Sequence, residues 1–146
     1  MFLKLTKFFL YLAPLSVAIV VTKSFFPFIG GKYYFFRFVI ELALALLLLW
    51  WAFEAPPGEL GKRLKEMFGQ PLFIAVSFFV LVFLLATAFA YYPQGAFWSN
   101  FERGEGGFQM IHYYLFFLLL AVVFRKEEEW TRLLKISLVA AALMIL

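Results

Sequence analysis

The 146-residue sequence contains no cysteine and no aspartate, and only 15% of its residues are charged. The lack of cysteine excludes disulfides, thiolate metal sites and cysteine nucleophiles. The lack of aspartate excludes a Ser–His–Asp triad. His112 is the single histidine, and one histidine with no helical partner does not make a metal site. We therefore expect neither a metal nor a cofactor.

The composition is dominated by apolar residues. The sequence is 65% hydrophobic, with 22 Phe and 7 Tyr, and its mean hydropathy is +0.91. A soluble domain is about half apolar and a quarter charged. These values predict an all-α, polytopic transmembrane protein with a single membrane domain over residues 1–146. The basic residues form no long stripe, so we expect no nucleic-acid partner.

Four apolar stretches approach the roughly 20 residues that a membrane helix needs. We place these spans at residues 8–28, 33–53, 71–92 and 107–124, and an incomplete fifth span at 133–146. The loop between spans two and three contains Glu59–Phe68, which we predict to be a short amphipathic helix. Because the run from Leu133 is too short to cross a bilayer, we expect the sequence to be the N-terminal part of a longer protein.

The Lys and Arg residues lie unevenly on the two sides of these spans. Loops rich in Lys and Arg stay on the cytoplasmic side. One side carries Lys4, Lys7, Lys62, Arg63, Lys65, Arg125, Lys126, Arg132 and Lys135, and the other carries Lys23, Lys32 and Arg103. We therefore predict a cytoplasmic N-terminus, with a tight turn at 28–32 and the loop 93–106 on the outer side.

Arg37 and Glu41 are two charges inside the second predicted span. Placing either in hydrocarbon costs about 2.5–3.5 kcal/mol, so such residues indicate a functional site by default. Their i, i+4 spacing puts them on one helix face, where they can pair. Two interpretations stay open: a buried structural ion pair, which is the simpler one, or an anion-binding Arg37 oriented by Glu41.

The predicted outer side offers further candidate binding residues. Lys32 is either an interfacial lysine or a contact for lipid phosphate. The loop after span three combines aromatic rings with charges: Phe97, Trp98, Phe101, Glu102, Arg103 and Glu105. Such a loop suits sugar or headgroup binding, although an interfacial anchor is the simpler interpretation. For His112, a polar cap that hydrogen-bonds this loop is favoured over a general base.

Two blocks of sequence resemble the O-antigen ligase-like membrane proteins. Ser24–Glu41 reads S-F-F-P-F-I-G-G-K-Y-Y-F-F-R-F-V-I-E, similar to the family pattern F-P-F-I-T/S-G-K-x-F-x-F-R-x-x-V/I-E. Phe97–His112 reads F-W-S-N-F-E-R-G-E-G-G-F-Q-M-I-H, similar to F-W-x-x-x-E-R-x-x-G with a later His. Gly30 stands where the family often has Thr or Ser, and the glycine run after Arg103 also departs from the pattern.

The resemblance implies a transferase that takes saccharide from undecaprenyl pyrophosphate at the outer face of the bacterial inner membrane, as a ligase or a polymerase in lipopolysaccharide biosynthesis. It implies membrane lipids and the lipid-linked glycan as partners. The family's catalytic arginines and histidine lie in a large outer loop further along such proteins, so no catalytic residue is assigned here. The matching positions form our substrate-binding hypothesis: Lys32, Arg37, Glu41, Glu102 and Arg103.

Two other functional classes fit the composition. A secondary transporter also places charged, broken helices around a site at the membrane midplane, and a second such span would favour it. A small non-catalytic membrane protein that acts by assembly would require that this sequence be complete.

Overall fold

The computed structural model describes residues 1–20, 30–100 and 104–145, and all regular structure within these ranges is helical. The predicted all-α class is therefore confirmed for the described residues. The helices are α1 (Phe2–Leu12), α2 (Gly30–Phe53), α3 (Glu59–Phe68), α4 (Pro71–Ala88), α5 (Pro93–Trp98), α6 (Gly107–Val123) and α7 (Glu127–Ile145), with a 3₁₀ segment at Ala13–Ala18.

Two helices of the described chain, α2 and α4, are long and apolar enough to cross a membrane. This is fewer than the four complete spans predicted from the sequence. Helix α6 is apolar but has 17 residues, about 26 Å at 1.5 Å each, which is short of a ~30 Å hydrocarbon core. Helix α7 begins with Glu127, Glu128 and Glu129, so its first turn is charged.

The predicted first span is not one continuous α-helix. Helix α1 ends at Leu12, and the chain continues as a 3₁₀ segment with Pro14 near its start. Proline lacks the N–H that an α-helix interior requires, which explains the change. Ile19 has an extended backbone, with φ −80° and ψ 125°, and the remainder of the predicted span, 21–28, lies outside the described residues.

The second span begins earlier than predicted. Gly30, Gly31 and Lys32, which we placed in a tight turn, are the first residues of α2. Phe28 and Ile29 of that turn lie outside the described residues. Two glycines disfavour a helix, but propensity is a weak determinant where tertiary packing holds the adjoining turn. The predicted amphipathic helix Glu59–Phe68 is confirmed, with the same bounds, as α3.

Helix α2 is the centre of the packing. It contacts α1 and the 3₁₀ segment on one side and α6 on another, and α6 in turn contacts α4. The core stripe of α2 recurs every three or four residues, as expected for a helix with one buried face. It consists of Phe36, Val39, Ile40, Ala43, Leu47 and Trp50. This packing fixes the positions of α2 and α6, the two helices that build the site described below.

The molecule has two ends that differ in their charges. The end where α2 finishes, here called the Glu54 end, carries four ion pairs. They are the N-terminal ammonium with Glu54, Lys7 with Glu129, Arg63 with Glu59, and Arg125 with Glu66. The hydrogen bond from the N-terminal ammonium lowers the pKa of Glu54, and the hydrogen bond from Arg125 lowers the pKa of Glu66. The opposite end, where α2 and α6 begin, is called the Arg37 end.

Candidate functional site

Arg37 lies about 10 Å along α2 from Gly30, within the helix that could cross a membrane. Its guanidinium carbon is 4.7 Å from the centroid of the Tyr33 ring and 4.7 Å from that of Phe108. Tyr33 is one turn earlier on α2, and Phe108 is in the first turn of α6. Cation–π attraction of this kind stabilises a guanidinium that has lost part of its water. The two rings therefore fix the plane of Arg37.

Two neutral oxygen atoms complete the setting of Arg37. Its Nε donates to Oε1 of Gln109 at 2.7 Å, and its Nη2 donates to the backbone oxygen of Gly104 at 2.9 Å. Gln109 is only 2% exposed. The other guanidinium N–H groups donate to none of the residues in 1–20, 30–100 and 104–145. Neutral acceptors thus fix the orientation of Arg37, and no carboxylate of the described residues lies within ion-pair distance of it.

Gly104 is a position where glycine is required. Its φ is +59°, a left-handed conformation that side chains rarely adopt. A Cβ atom there would lie 2.8 Å from the Tyr33 ring. The absence of a side chain therefore lets the backbone lie against Tyr33 and present its carbonyl oxygen to Arg37.

Arg37 and Glu41 do not form an ion pair, so the predicted pairing is wrong. The Glu41 carboxylate instead contacts Nε2 of His112 at 3.0 Å. The guanidinium is turned toward Gln109 and the Gly104 carbonyl, whereas Glu41, one turn further along α2, faces His112. Glu41 therefore does not orient Arg37, and Gln109 does so in its place.

His112 contacts the backbone of Phe108 as well as Glu41. Its Nδ1 is 2.8 Å from the backbone oxygen of Phe108, and because a carbonyl only accepts, Nδ1 donates. The His112 and Phe108 rings meet edge-to-face at 4.6 Å. His112 is 4% exposed, whereas the Glu41 side chain is 60% exposed. The Phe108 ring thus links the histidine to Arg37.

Two aromatic residues of the predicted outer loop, Phe97 and Trp98, pack into the wall of the site, and the third, Phe101, lies outside the described residues. Phe97 and Trp98 belong to α5, and their ring centroids are 6.1 Å and 5.0 Å from that of Phe108. They therefore support the ring that covers Arg37. The predicted site residues Glu102 and Arg103 lie outside the described residues.

A cavity of about 550 Å³ lies beside the Arg37 site, between the 3₁₀ segment, α2, α6 and α7. Lys32 and Glu105 line it, as do Tyr33 and Gln109. Gln109 therefore belongs to both features, since its Oε1 holds Arg37 and the same side chain forms part of the cavity wall. Two of the predicted residues are thus related through Gln109. Arg37 donates a hydrogen bond to it, and Lys32 lines the same cavity as it does.

Gln109 was not among the residues predicted from the sequence. It is an amide within an apolar helix, three residues before His112 and so on the same helical face. Two polar residues on one face of an apolar helix were the feature of the sequence that could have identified Gln109 as a site residue. In the described part of the chain, no group of three or more His, Cys, Asp or Glu side chains could hold a metal ion.

No family model matches the sequence, and neither a curated protein nor a solved structure shows significant similarity to it. The resemblance to O-antigen ligase-like proteins therefore stays a prediction that rests on the two sequence blocks.

Proposed function

We propose that this chain is the N-terminal membrane part of a glycan ligase or polymerase. In this proposal the enzyme takes saccharide from undecaprenyl pyrophosphate at the outer face of the bacterial inner membrane. In this proposal helices α2 and α4 cross that membrane, and the N-terminus lies in the cytoplasm. The two sequence blocks support the family, and the apolar helices α2 and α4 support the membrane setting.

The observation that carries the proposal is the neutral setting of Arg37. The two acceptors of Arg37 among residues 1–20, 30–100 and 104–145, Gln109 and the Gly104 carbonyl, are uncharged. A structural ion pair would neutralise the guanidinium, whereas this arrangement leaves its charge for a ligand. An arginine presents N–H groups in a fixed fork that suits phosphate, and such charge-assisted bonds are stronger than neutral ones. The setting therefore favours an anionic ligand such as pyrophosphate.

A fixed cation also serves the chemistry of glycan transfer. Negative charge grows on the pyrophosphate as its bond to the sugar breaks, and a donor already oriented toward that charge stabilises the transition state. In the proposal Arg37 is this donor, Lys32 lines the neighbouring cavity, and Glu102 and Arg103 belong to the adjoining loop sequence. Glu41 contributes through His112, which contacts the Phe108 ring beside Arg37.

Substitution of Arg37 tests this function. In the full protein in membrane vesicles, supplied with an undecaprenyl pyrophosphate-linked glycan, we expect Arg37→Gln to lower the transfer rate by about 10²-fold or more, as for the loss of an oxyanion donor. Arg37→Lys keeps the charge but loses the fork, so we expect an intermediate rate.

Arg63 provides the matched control for this experiment. It also lies over an aromatic ring, that of Trp50 at 4.9 Å, but it is paired with Glu59 at the Glu54 end. We expect Arg63→Gln to leave the transfer rate near that of the unsubstituted protein. Equal rates for Arg37→Gln and the unsubstituted protein, at equal amounts in the membrane, would refute the role of Arg37.

A further inference from the structure

The cavity beside Arg37 combines apolar walls with two separate charges. Phe36 and Phe116 line it, as do aliphatic atoms of the 3₁₀ segment and α7. Lys32 and Glu105 line the same cavity but form no ion pair, so their charged atoms are more than 4.0 Å apart. The cavity wall therefore carries one cation, Lys32, and one anion, Glu105, at separate positions, and the remainder of the wall is mainly apolar.

Within the described ranges, neither group has an oppositely charged atom within 4.0 Å. Among those residues the Lys32 ammonium donates only to the sulfur of Met144, at 3.6 Å, and a thioether is a weak acceptor. The exposed Glu105 carboxylate accepts no hydrogen bond from residues in 1–20, 30–100 or 104–145. Ion pairs fill the opposite end of the molecule, so the lack of pairing here leaves both groups able to bind a ligand.

Gln109 adds a polar group without a partner. Only 2% of the Gln109 surface is exposed. Its Nε2 donates no hydrogen bond to any described residue. A buried donor left unsatisfied costs about 1–3 kcal/mol. Its Oε1 is turned to Arg37, which does not line the cavity, whereas Gln109 does. Because Nε2 itself is almost fully covered, a small turn of the amide toward the cavity is needed before it can donate to a ligand oxygen there.

We propose that the cavity binds one zwitterionic phospholipid with a primary ammonium headgroup, of the phosphatidylethanolamine class. Its phosphate lies at Lys32 with an oxygen toward Gln109, its ammonium lies at Glu105, and one acyl chain lies against Phe36 and Phe116. Phosphatidylglycerol would place the same phosphate at Lys32 but an uncharged glycerol at Glu105, which leaves that carboxylate without a cation. A purely apolar ligand would leave all three polar groups unsatisfied. The inference rests on the membrane setting of the proposed function and not on glycan transfer.

Native mass spectrometry of the full chain tests this proposal. The protein is purified in detergent and titrated with phosphatidylethanolamine, phosphatidylglycerol or phosphatidylcholine of identical acyl chains. We expect one saturable site whose affinity for phosphatidylethanolamine exceeds that for phosphatidylglycerol by about tenfold, the ratio given by one favourable charge contact. Equal or tighter binding of phosphatidylglycerol, or no saturable site, would overturn the proposal.

Single substitutions then locate the site. We expect Glu105→Gln to abolish the preference for phosphatidylethanolamine, and Lys32→Gln to weaken binding of both phospholipids. Glu128→Gln and Lys62→Gln remove the same charges from exposed positions elsewhere and should bind like the unsubstituted protein. An effect of Glu105→Gln no larger than that of Glu128→Gln would also overturn the proposal. The readout requires no glycan, so lipid binding can fail while transfer persists, and the reverse.

Discussion

Arg37 lies over two aromatic rings and Arg63 over one, but their hydrogen-bond contacts are closely similar and differ in one respect. Each guanidinium lies over an aromatic ring, each Nε donates to a side-chain Oε1, and a further N–H donates to a backbone oxygen. The Oε1 atom belongs to neutral Gln109 at Arg37, at 2.7 Å, and to the Glu59 carboxylate at Arg63, at 2.8 Å. The difference is a single charge.

That difference is the basis of the two roles that we propose, a structural one for Arg63 and ligand binding for Arg37. Arg63 is neutralised by Glu59 and joins α3 to α6 through the Val122 carbonyl. Arg37 is held as firmly, but its charge is not compensated by Gln109 or Gly104. The same contrast extends to the two ends, because four ion pairs lie at the Glu54 end, whereas Lys32 and Arg37 have no carboxylate partner in the described residues.

Among changes that leave Arg37 itself in place, the largest expected effect comes from giving it the environment of Arg63. Gln109→Glu replaces the neutral amide oxygen that accepts from Nε of Arg37 with a carboxylate oxygen. We expect the new ion pair to preserve the melting temperature while the transfer rate falls by at least about tenfold, since a charge at this distance in a partly buried site exceeds 1.4 kcal/mol. Transfer assays and thermal unfolding in detergent measure the two effects.

Gln109→Leu is the control for that substitution. It removes the acceptor without adding charge, so we expect both the melting temperature and the transfer rate to fall, because a buried N–H loses its partner. A Gln109→Glu protein that keeps the full transfer rate would contradict the idea that the neutral setting of Arg37 matters.

The second-largest effect is expected on stability, from substitution of Glu129 at the Glu54 end. Glu129 accepts from Lys7 with Oε1 and from the backbone N–H groups of Arg125 and Lys126 with Oε2. Burial raises the pKa of Glu129, but these hydrogen bonds outweigh it, so the pKa is lowered from its usual 4.5. We expect Glu129→Ala to lower the free energy of unfolding by about 1–3 kcal/mol, the cost of leaving partly buried donors unpaired.

The lowered pKa of Glu129 also sets a pH dependence. A carboxyl whose folded pKa is depressed contributes stability above its unfolded pKa, and that stability is lost as the pH falls through the folded pKa. We therefore expect the melting temperature to fall on acidification below about pH 4.5, and to fall less in Glu129→Gln. Parallel pH profiles of the two proteins would show that Glu129 does not contribute.

The smallest effect is expected from the reverse exchange at Arg63. Glu59→Gln gives Arg63 a neutral acceptor like that of Arg37. An i, i+4 pair on a helix surface is worth about 0.3–0.5 kcal/mol, so we expect a slight fall in unfolding free energy and no change in transfer. A fall as large as that of Glu129→Ala would mean that Arg63 matters more to the packing of α3 than its geometry indicates.

The sequence predicted much of the helical framework. Long apolar runs predicted α2 and α4, and the amphipathic pattern of Glu59–Phe68 predicted α3 with its observed bounds. The first span was predicted less well. The number of apolar residues in a stretch does not show that Pro14 lacks the backbone N–H that a continuous α-helix needs. Residues 107–123 were placed correctly as a helix, although it is shorter than a full span.

The sequence also identified Arg37 as the residue of interest, because a charge inside an apolar run is costly wherever the chain folds. It did not determine the partner of Arg37. Spacing along one helix shows only that Arg37 and Glu41 share a face, whereas the acceptors that hold Arg37 lie 72 and 67 residues away, at Gln109 and Gly104. The packing of α6 against α2 decided between an anionic and a neutral partner, because hydrogen bonds between distant residues form only where the tertiary structure brings their atoms within reach.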